Sequence, residues 1–87
     1  MVNKLIIGSL LKSKTGLGVF SFDFVEKKET TCAYMCNQND IFMFLEKNPV
    51  ITKYGYYSYI MFDVEKQHKI IFNFSDDYEF KSYFKNV

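Results

Sequence analysis

Over residues 19–25 every second side chain is aromatic. Phe20, Phe22 and Phe24 alternate with Ser21 and Asp23. Strand side chains point to opposite faces in turn, so three rings fall on one face and the polar groups on the other. This pattern predicts a strand over 19–25. Residues 30–36, Thr-Thr-Cys-Ala-Tyr-Met-Cys, predict another, with Cys32, Tyr34 and Cys36 on its apolar face. The charged run Glu26-Lys27-Lys28-Glu29 between them reads as a solvated turn. The longest such stretch is 54–64, Tyr-Gly-Tyr-Tyr-Ser-Tyr-Ile-Met-Phe-Asp-Val, aromatic and β-branched throughout. A polar segment, Glu65-Lys66-Gln67-His68, separates it from the apolar run Lys69-Ile70-Ile71-Phe72-Asn73-Phe74. Two runs of this kind across a short polar loop predict a β-hairpin, with strands at about 56–64 and 69–74.

Residues 2–12 carry both periods. Leu5, Ile6 and Leu10 would share a helical face, whereas alternation sets Leu5, Ile7 and Leu11 against Ile6, Gly8 and Leu10. The β-branched content favours a strand, as does Gly8, which costs about 1 kcal/mol inside a helix. The loop 13–18 then closes a turn in which Gly16 and Gly18 can supply positive φ. Lys14 precedes these glycines, the reverse of the order a phosphate-binding loop requires.

Helical spacing enters twice. Ile41, Phe44 and Leu45 recur at that spacing after Asn39 or Asp40 as N-cap, and Pro49 forbids continuation, predicting a helix over about 39–47. At the C-terminus Ser75 and Asp76 can cap a second helix, with Asp76 and Glu79 forming a capping-box pair. Phe80, Tyr83 and Phe84 make its apolar stripe, and Lys81 and Lys85 sit toward its negative end. The order is β-β-β-α-β-β-α. It defines a single α+β domain over residues 1–87, an antiparallel sheet of about five strands with two short helices on one sheet face.

Composition changes this picture in one respect. A chain of 87 residues buries only about 60–65% of its unfolded surface. It owns ten Phe and seven Tyr, and each ring buries some 150–250 Å² when enclosed, on the order of more than so small an interior can hold. The surplus is expected among Tyr54, Tyr56, Tyr57, Tyr59, Tyr78 and Tyr83. The alternative is that these phenols are strand formers within a partly buried core.

Net charge is +1, every basic residue is lysine, and arginine and tryptophan are absent. Paired recognition of phosphate or guanine favours the arginine fork, so its absence counts against nucleic acid. Lysine without arginine, with abundant Asn, Ile, Phe and Tyr, is the usage of an AT-rich coding sequence, which fits a mobile element, phage or low-GC bacterium. The apolar run 5–11 is broken by Gly8 and Ser9 and lacks a cleavage site, and no stretch approaches the ~20 apolar residues of a membrane span. A cytoplasmic location is expected.

Candidate chemistry is sparse. His68 lies in the predicted turn, with no Ser or Cys tied to it by a motif. Cys32 and Cys36, four residues apart in a strand, would be about 13 Å apart, beyond the roughly 7 Å that a disulfide spans. They read as small buried thiols. Asp76, Asp77 and Glu79 read as helix caps before they read as an acid pair or metal site. Lys53-Tyr54-Gly55-Tyr56 faintly echoes an RNA-binding sheet, without the basic footprint such domains carry. No catalytic residue, metal or cofactor is expected.

The expectation is a non-enzymatic protein-binding inhibitor, such as a toxin-immunity protein or a mobile-element inhibitor of a host enzyme. It would occlude a partner protein, a nuclease toxin or host enzyme, through Tyr54, Tyr56, Tyr57, Tyr59, Asp76, Asp77, Tyr78 and Glu79. A homodimer is compatible with that role. The alternatives are a single-stranded nucleic-acid-binding sheet and a structural homo-oligomer.

Overall fold

In the computed structural model, residues 5–23, 28–52 and 54–87 are described, with the backbone alone at 20–23 and 28–33. The elements in chain order are β1 (Leu10–Ser13), β2 (Gly18–Asp23), β3 (Lys28–Met35), β4 (Ile41–Lys47), β5 (Tyr57–Asp63), β6 (His68–Phe74), α1 (Asp77–Tyr83) and β7 (Phe84–Asn86). The strands form one sheet in the order β3-β2-β6-β5-β4-β1-β7, with every pairing antiparallel. The β5–β6 hairpin is at its centre, in unbroken register from Tyr57↔Phe74 to Asp63↔His68. This is the hairpin expected from the alternation of its residues. Among the described residues the molecule is mainly sheet, with one helix.

That helix covers one face. Phe80 of α1 stacks on Tyr59 (ring centroids 4.7 Å apart) and meets Phe44 and Phe74 edge-on. Phe84 follows it into the same layer against Phe42 and Phe72. Alternation along the strands supplies the rest: Leu11, Phe42, Phe44, Met61, Ile70 and Phe72 all point to this side and are buried. Such edge-to-face and offset pairs contribute about 0.5–1.5 kcal/mol each beyond simple burial.

The helix expected over 39–47 is strand β4, so the described residues form seven strands and one helix in place of five and two. Two periods competed in that segment. Ile41, Phe44 and Leu45 fit a helical stripe, but Phe42 and Phe44 also alternate with Ile41 and Met43, and apolar residues on both faces suit a central strand. Tertiary pairing decides: β1 and β5 flank β4 on both sides and satisfy its backbone groups. Asn39, a proposed cap, instead turns the chain at φ 71°. The Asp40 carboxylate accepts from the Asn37 N–H at 2.8 Å, not from a following helical turn.

The ends differ as well. The first strand was read over 2–12; β1 begins at Leu10, residues 7 and 8 turn with Gly8 at φ 89°, and residues 1–4 lie outside the described residues. Gly16 and Gly18 do not take positive φ. At Gly16 an added Cβ would meet the Cys36 carbonyl at 3.1 Å, so closeness of approach is what favours glycine there. The C-terminal helix is capped as expected, the Glu79 N–H donating to Asp76 Oδ1 at 2.8 Å. It stops at Tyr83, however, because Phe84 is extended (φ −129°, ψ 152°) and opens β7 along the outer edge of β1. Lys85 is therefore a strand residue. Lys28 and Glu29, expected in a turn, open β3. Phe24 and the rest of the 24–27 segment lie outside the described residues, as do the side chains of Phe20, Phe22 and Cys32. Among the described residues no helix is long and apolar enough to cross a membrane.

Candidate functional site

Antiparallel pairing of β5 with β6 places the start of β5 beside the end of β6, because Tyr57 stands opposite Phe74. The loop before β5 and the first turn of α1 therefore share one end of the sheet. All the residues singled out as partner-binding come to this end, though not all reach its surface. Tyr54 is 74% exposed, Tyr78 is 80% exposed, and Tyr56 is exposed to a lesser degree. Asp76 is exposed, while Asp77, Glu79 and Tyr57 are half-buried. Tyr59 is fully enclosed under Phe80, so it cannot touch a partner. Its place in the core follows from strand phase, which puts Tyr57 and Tyr59 toward the helix.

Sequence reasoning missed Val50 and Ile51, which are exposed in the same loop. Their signal was an apolar pair next to Asn48-Pro49, outside any alternating run. The loop is internally tied: the Thr52 N–H donates to the Tyr56 carbonyl at 2.7 Å, and the Tyr56 N–H to Thr52 Oγ1 at 3.2 Å. Gly55, at φ 85°, supplies the left-handed residue this turn needs.

The same end of the sheet holds a polar anchor. Asp77 Oδ1 accepts from Tyr59 Oη at 2.7 Å and from Lys47 Nζ at 2.9 Å. The Lys47 ammonium also sits over the Tyr57 ring, 4.3 Å from its centroid, where the ring quadrupole attracts it. Lys47 reaches this position because the β4–β5 register slips by one residue between Phe44 and Glu46. Without the extra residue, Glu46 would follow Phe44 toward the helix and meet Asp77 with like charge. Partial burial alone would raise the Asp77 carboxyl. The bonds from Lys47 and Tyr59, with the charges of Lys47 and Lys81, outweigh it and hold Asp77 below its ordinary range.

A second polar cluster closes the opposite end. Tyr34 donates its hydroxyl to Asp63 Oδ2, and the Lys66 N–H donates to Asp63 Oδ1 at 3.0 Å. The Lys66 ammonium lies over the Tyr34 ring, and His68, exposed at the start of β6, has its ring 5.9 Å from that of Tyr34. Asp63 is buried with both partners in place. Cys36 is buried and free, and its Sγ faces the Thr15 carbonyl at 4.0 Å. Desolvation pushes its thiol up from the ordinary value, which is the condition of an unreactive packing cysteine. Among the described residues no hydrogen bond joins Cys36 to His68, and no three His, Cys, Asp or Glu side chains gather as a metal site.

Burial, followed by the hydrogen bond to a carboxylate, raises the phenols of both Tyr59 and Tyr34 well above the ordinary tyrosine value of 10.0. The sign of the linkage follows: the fold retains protons that the unfolded chain releases, so their contribution is complete below about pH 10 and is lost as pH rises beyond it. The urea midpoint is expected to fall above that pH, with the phenolate absorbance of these two rings appearing only as the chain unfolds. Tyr59→Phe is expected to flatten the fall; an unchanged slope counts against this assignment.

Comparison with protein-family models, with curated proteins and with solved structures finds no match for this chain.

Proposed function

We propose that this protein is a non-enzymatic, protein-binding inhibitor that occludes a partner through the aromatic end of its sheet. One observation carries the reading: Tyr54, Tyr56 and Tyr78, with Val50 and Ile51, stand exposed around the start of α1. Tyrosine is rigid, largely apolar and polar at its tip, the combination found at many interface hot spots. The anchor of Lys47, Tyr57, Tyr59 and Asp77 belongs to the same end of the sheet and ties the first turn of α1 to β4 and β5. Asp76 and Glu79 add negative charge to the rim, which suits the basic cleft of an enzyme such as a nuclease and would speed encounter with it. A toxin-immunity protein or a mobile-element inhibitor of a host enzyme, acting in the cytoplasm, is the role that fits a short chain of this kind.

The test compares tagged wild-type protein with the variant Tyr54→Ser/Tyr56→Ser/Tyr78→Ser. Wild type is expected to deplete an enzymatic activity, nuclease first, from a lysate of the producing cell. The variant should keep its urea midpoint and bind at least about 30-fold more weakly, the loss of about 2 kcal/mol typical of a hot spot. Capture of nucleic acid alone, released by moderate salt, overturns the proposal in favour of a nucleic-acid-binding sheet. A dimer on sizing that the variant turns to monomer, with no activity depleted, assigns the rings to self-association.

A further inference from the structure

The aromatic end of the sheet carries apolar surface beyond the rings. The Gly8 N–H donates to the Phe44 carbonyl at 2.8 Å and the Phe44 N–H to the Ser9 carbonyl at 2.9 Å, which extends the β1–β4 ladder toward the end of β4. The Ser9 N–H donates to the Ile6 carbonyl at 3.0 Å, so the chain turns there, with Gly8 at φ 89°. Ile6 and Ile7 therefore stand at the end of the sheet where β4 leads into the 48–56 loop, and both are exposed. Leu5, next to them, packs against the core and ties the turn to it. Leu10 opens β1 at the same end and is exposed, as is Val87, whose N–H donates to the Leu10 carbonyl.

This exposure is one-sided. Among the described residues every exposed large apolar side chain except Met35 belongs to this end. In the loops of the opposite end the exposed residues are polar or glycine: 14–16 (Lys-Thr-Gly), 37–39 (Asn-Gln-Asn) and 65–67 (Glu-Lys-Gln). Tyr54, Tyr56 and Tyr78 are 43–80% exposed and offer on the order of 300–500 Å² at about 150–250 Å² a ring, which an ordinary monomer surface can carry. The aliphatic groups take this end past that range, to the scale of about 800 Å² that a stable complex buries on each partner. The charges narrow the occupant. At the end of β4 and the start of α1 the exposed charged residues are Glu46 and Asp76, while the Lys47 ammonium is taken by Asp77. A second copy would bring these carboxylates toward their own kind, and an anionic lipid surface would repel them. We infer that one folded partner covers both the Ile6–Ile7 turn and the aromatic loop, through an apolar centre rimmed by lysine or arginine. The inference rests on the protein-binding reading above and adds a contact which that reading does not require.

The test uses the whole chain in the depletion assay, with nuclease activity of the lysate read as cleavage of a labelled oligonucleotide. Ile6→Ser/Ile7→Ser is expected to keep its urea midpoint and to need at least about tenfold more protein for half-depletion. Ile7→Ser alone should act in the same direction, and decides the matter if the double variant loses stability. Glu46→Lys should weaken depletion by about threefold or more at low salt, with the gap closing as salt is raised. Unchanged depletion by the isoleucine variants, with the loss confined to the tyrosine variant, overturns the inference and leaves the protein-binding reading in place. No depletion by wild type overturns both. A dimer in sedimentation that Ile6→Ser/Ile7→Ser abolishes overturns the inference in favour of a second copy. Flotation of wild type with vesicles of phosphatidylcholine and phosphatidylserine overturns it in favour of a lipid surface.

Discussion

Phe80→Ala is expected to cost about 3–5 kcal/mol and to leave much of the chain unfolded at room temperature. Phe80 is fully enclosed. Its ring lies against Phe44, Tyr59, Phe74 and Phe84, which come from β4, β5, β6 and β7. Truncation therefore removes the one ring that joins the helix to four strands. A seven-residue helix cannot close the space by shifting, because Asp77 is tied at its start and β7 is paired at its end. A domain of this length has about 4–13 kcal/mol to lose, at roughly 0.05–0.15 kcal/mol per residue. Urea denaturation followed by circular dichroism measures the change. Phe80→Leu, which keeps most of the volume, should cost clearly less. A loss below about 1 kcal/mol for the alanine variant would mean that α1 contributes little to the core.

Asp77→Ala is expected to cost about 2–3 kcal/mol, a large effect for a residue on the rim. The Lys47 ion pair is half-exposed and screened, so it contributes little of this. The cost comes from Tyr59, whose hydroxyl is left inside the fold without its acceptor. Tyr59→Phe removes that donor, so the double variant Tyr59→Phe/Asp77→Ala should cost less than the sum of the two single changes. Additive costs would show that the hydroxyl finds another acceptor. Acid offers a second readout. Because Asp77 is held below its ordinary range, its contribution is present above about pH 4 and is lost as pH falls through the lowered value. The urea midpoint of Asp77→Asn should therefore approach that of wild type in acid and differ from it at neutral pH.

Strand phase explains which features were legible beforehand. The central hairpin could be read because Tyr59 and Met61 alternate with Ser58 and Ile60 across a polar turn. The cap of α1 could be read because Asp76 and Glu79 are three residues apart and need no distant partner. Residues 41–47 carry two periods at once, and local pattern cannot rank them. Only the unpaired edges of β1 and β5 on either side make a strand the better solution. The extent of β7 is likewise invisible locally, since Phe84 fits the helical stripe as well as it fits the strand that replaces it.

The candidate site divides in the same way. An aromatic surplus could be counted, and its bias toward tyrosine indicated where exposed rings would lie. Which phenols are exposed depends on depth beneath α1: Tyr59 is lost to the core, while Tyr54, Tyr56 and Tyr78 remain at the surface. Lys47 had no visible role, because its approach to Asp77 depends on a one-residue slip in the β4–β5 ladder.

Composition and local alternation alone indicated a small, arginine-free α+β chain with a central hairpin and a capped C-terminal helix, and led to the expectation of more rings than its core accommodates. The tertiary structure decided the seven-strand order, the fate of residues 41–47, and the gathering of loop and helix start at one end. Those outcomes rest on pairing between segments distant in sequence, where each backbone group takes the partner that folding brings to it, and no local period contains that information.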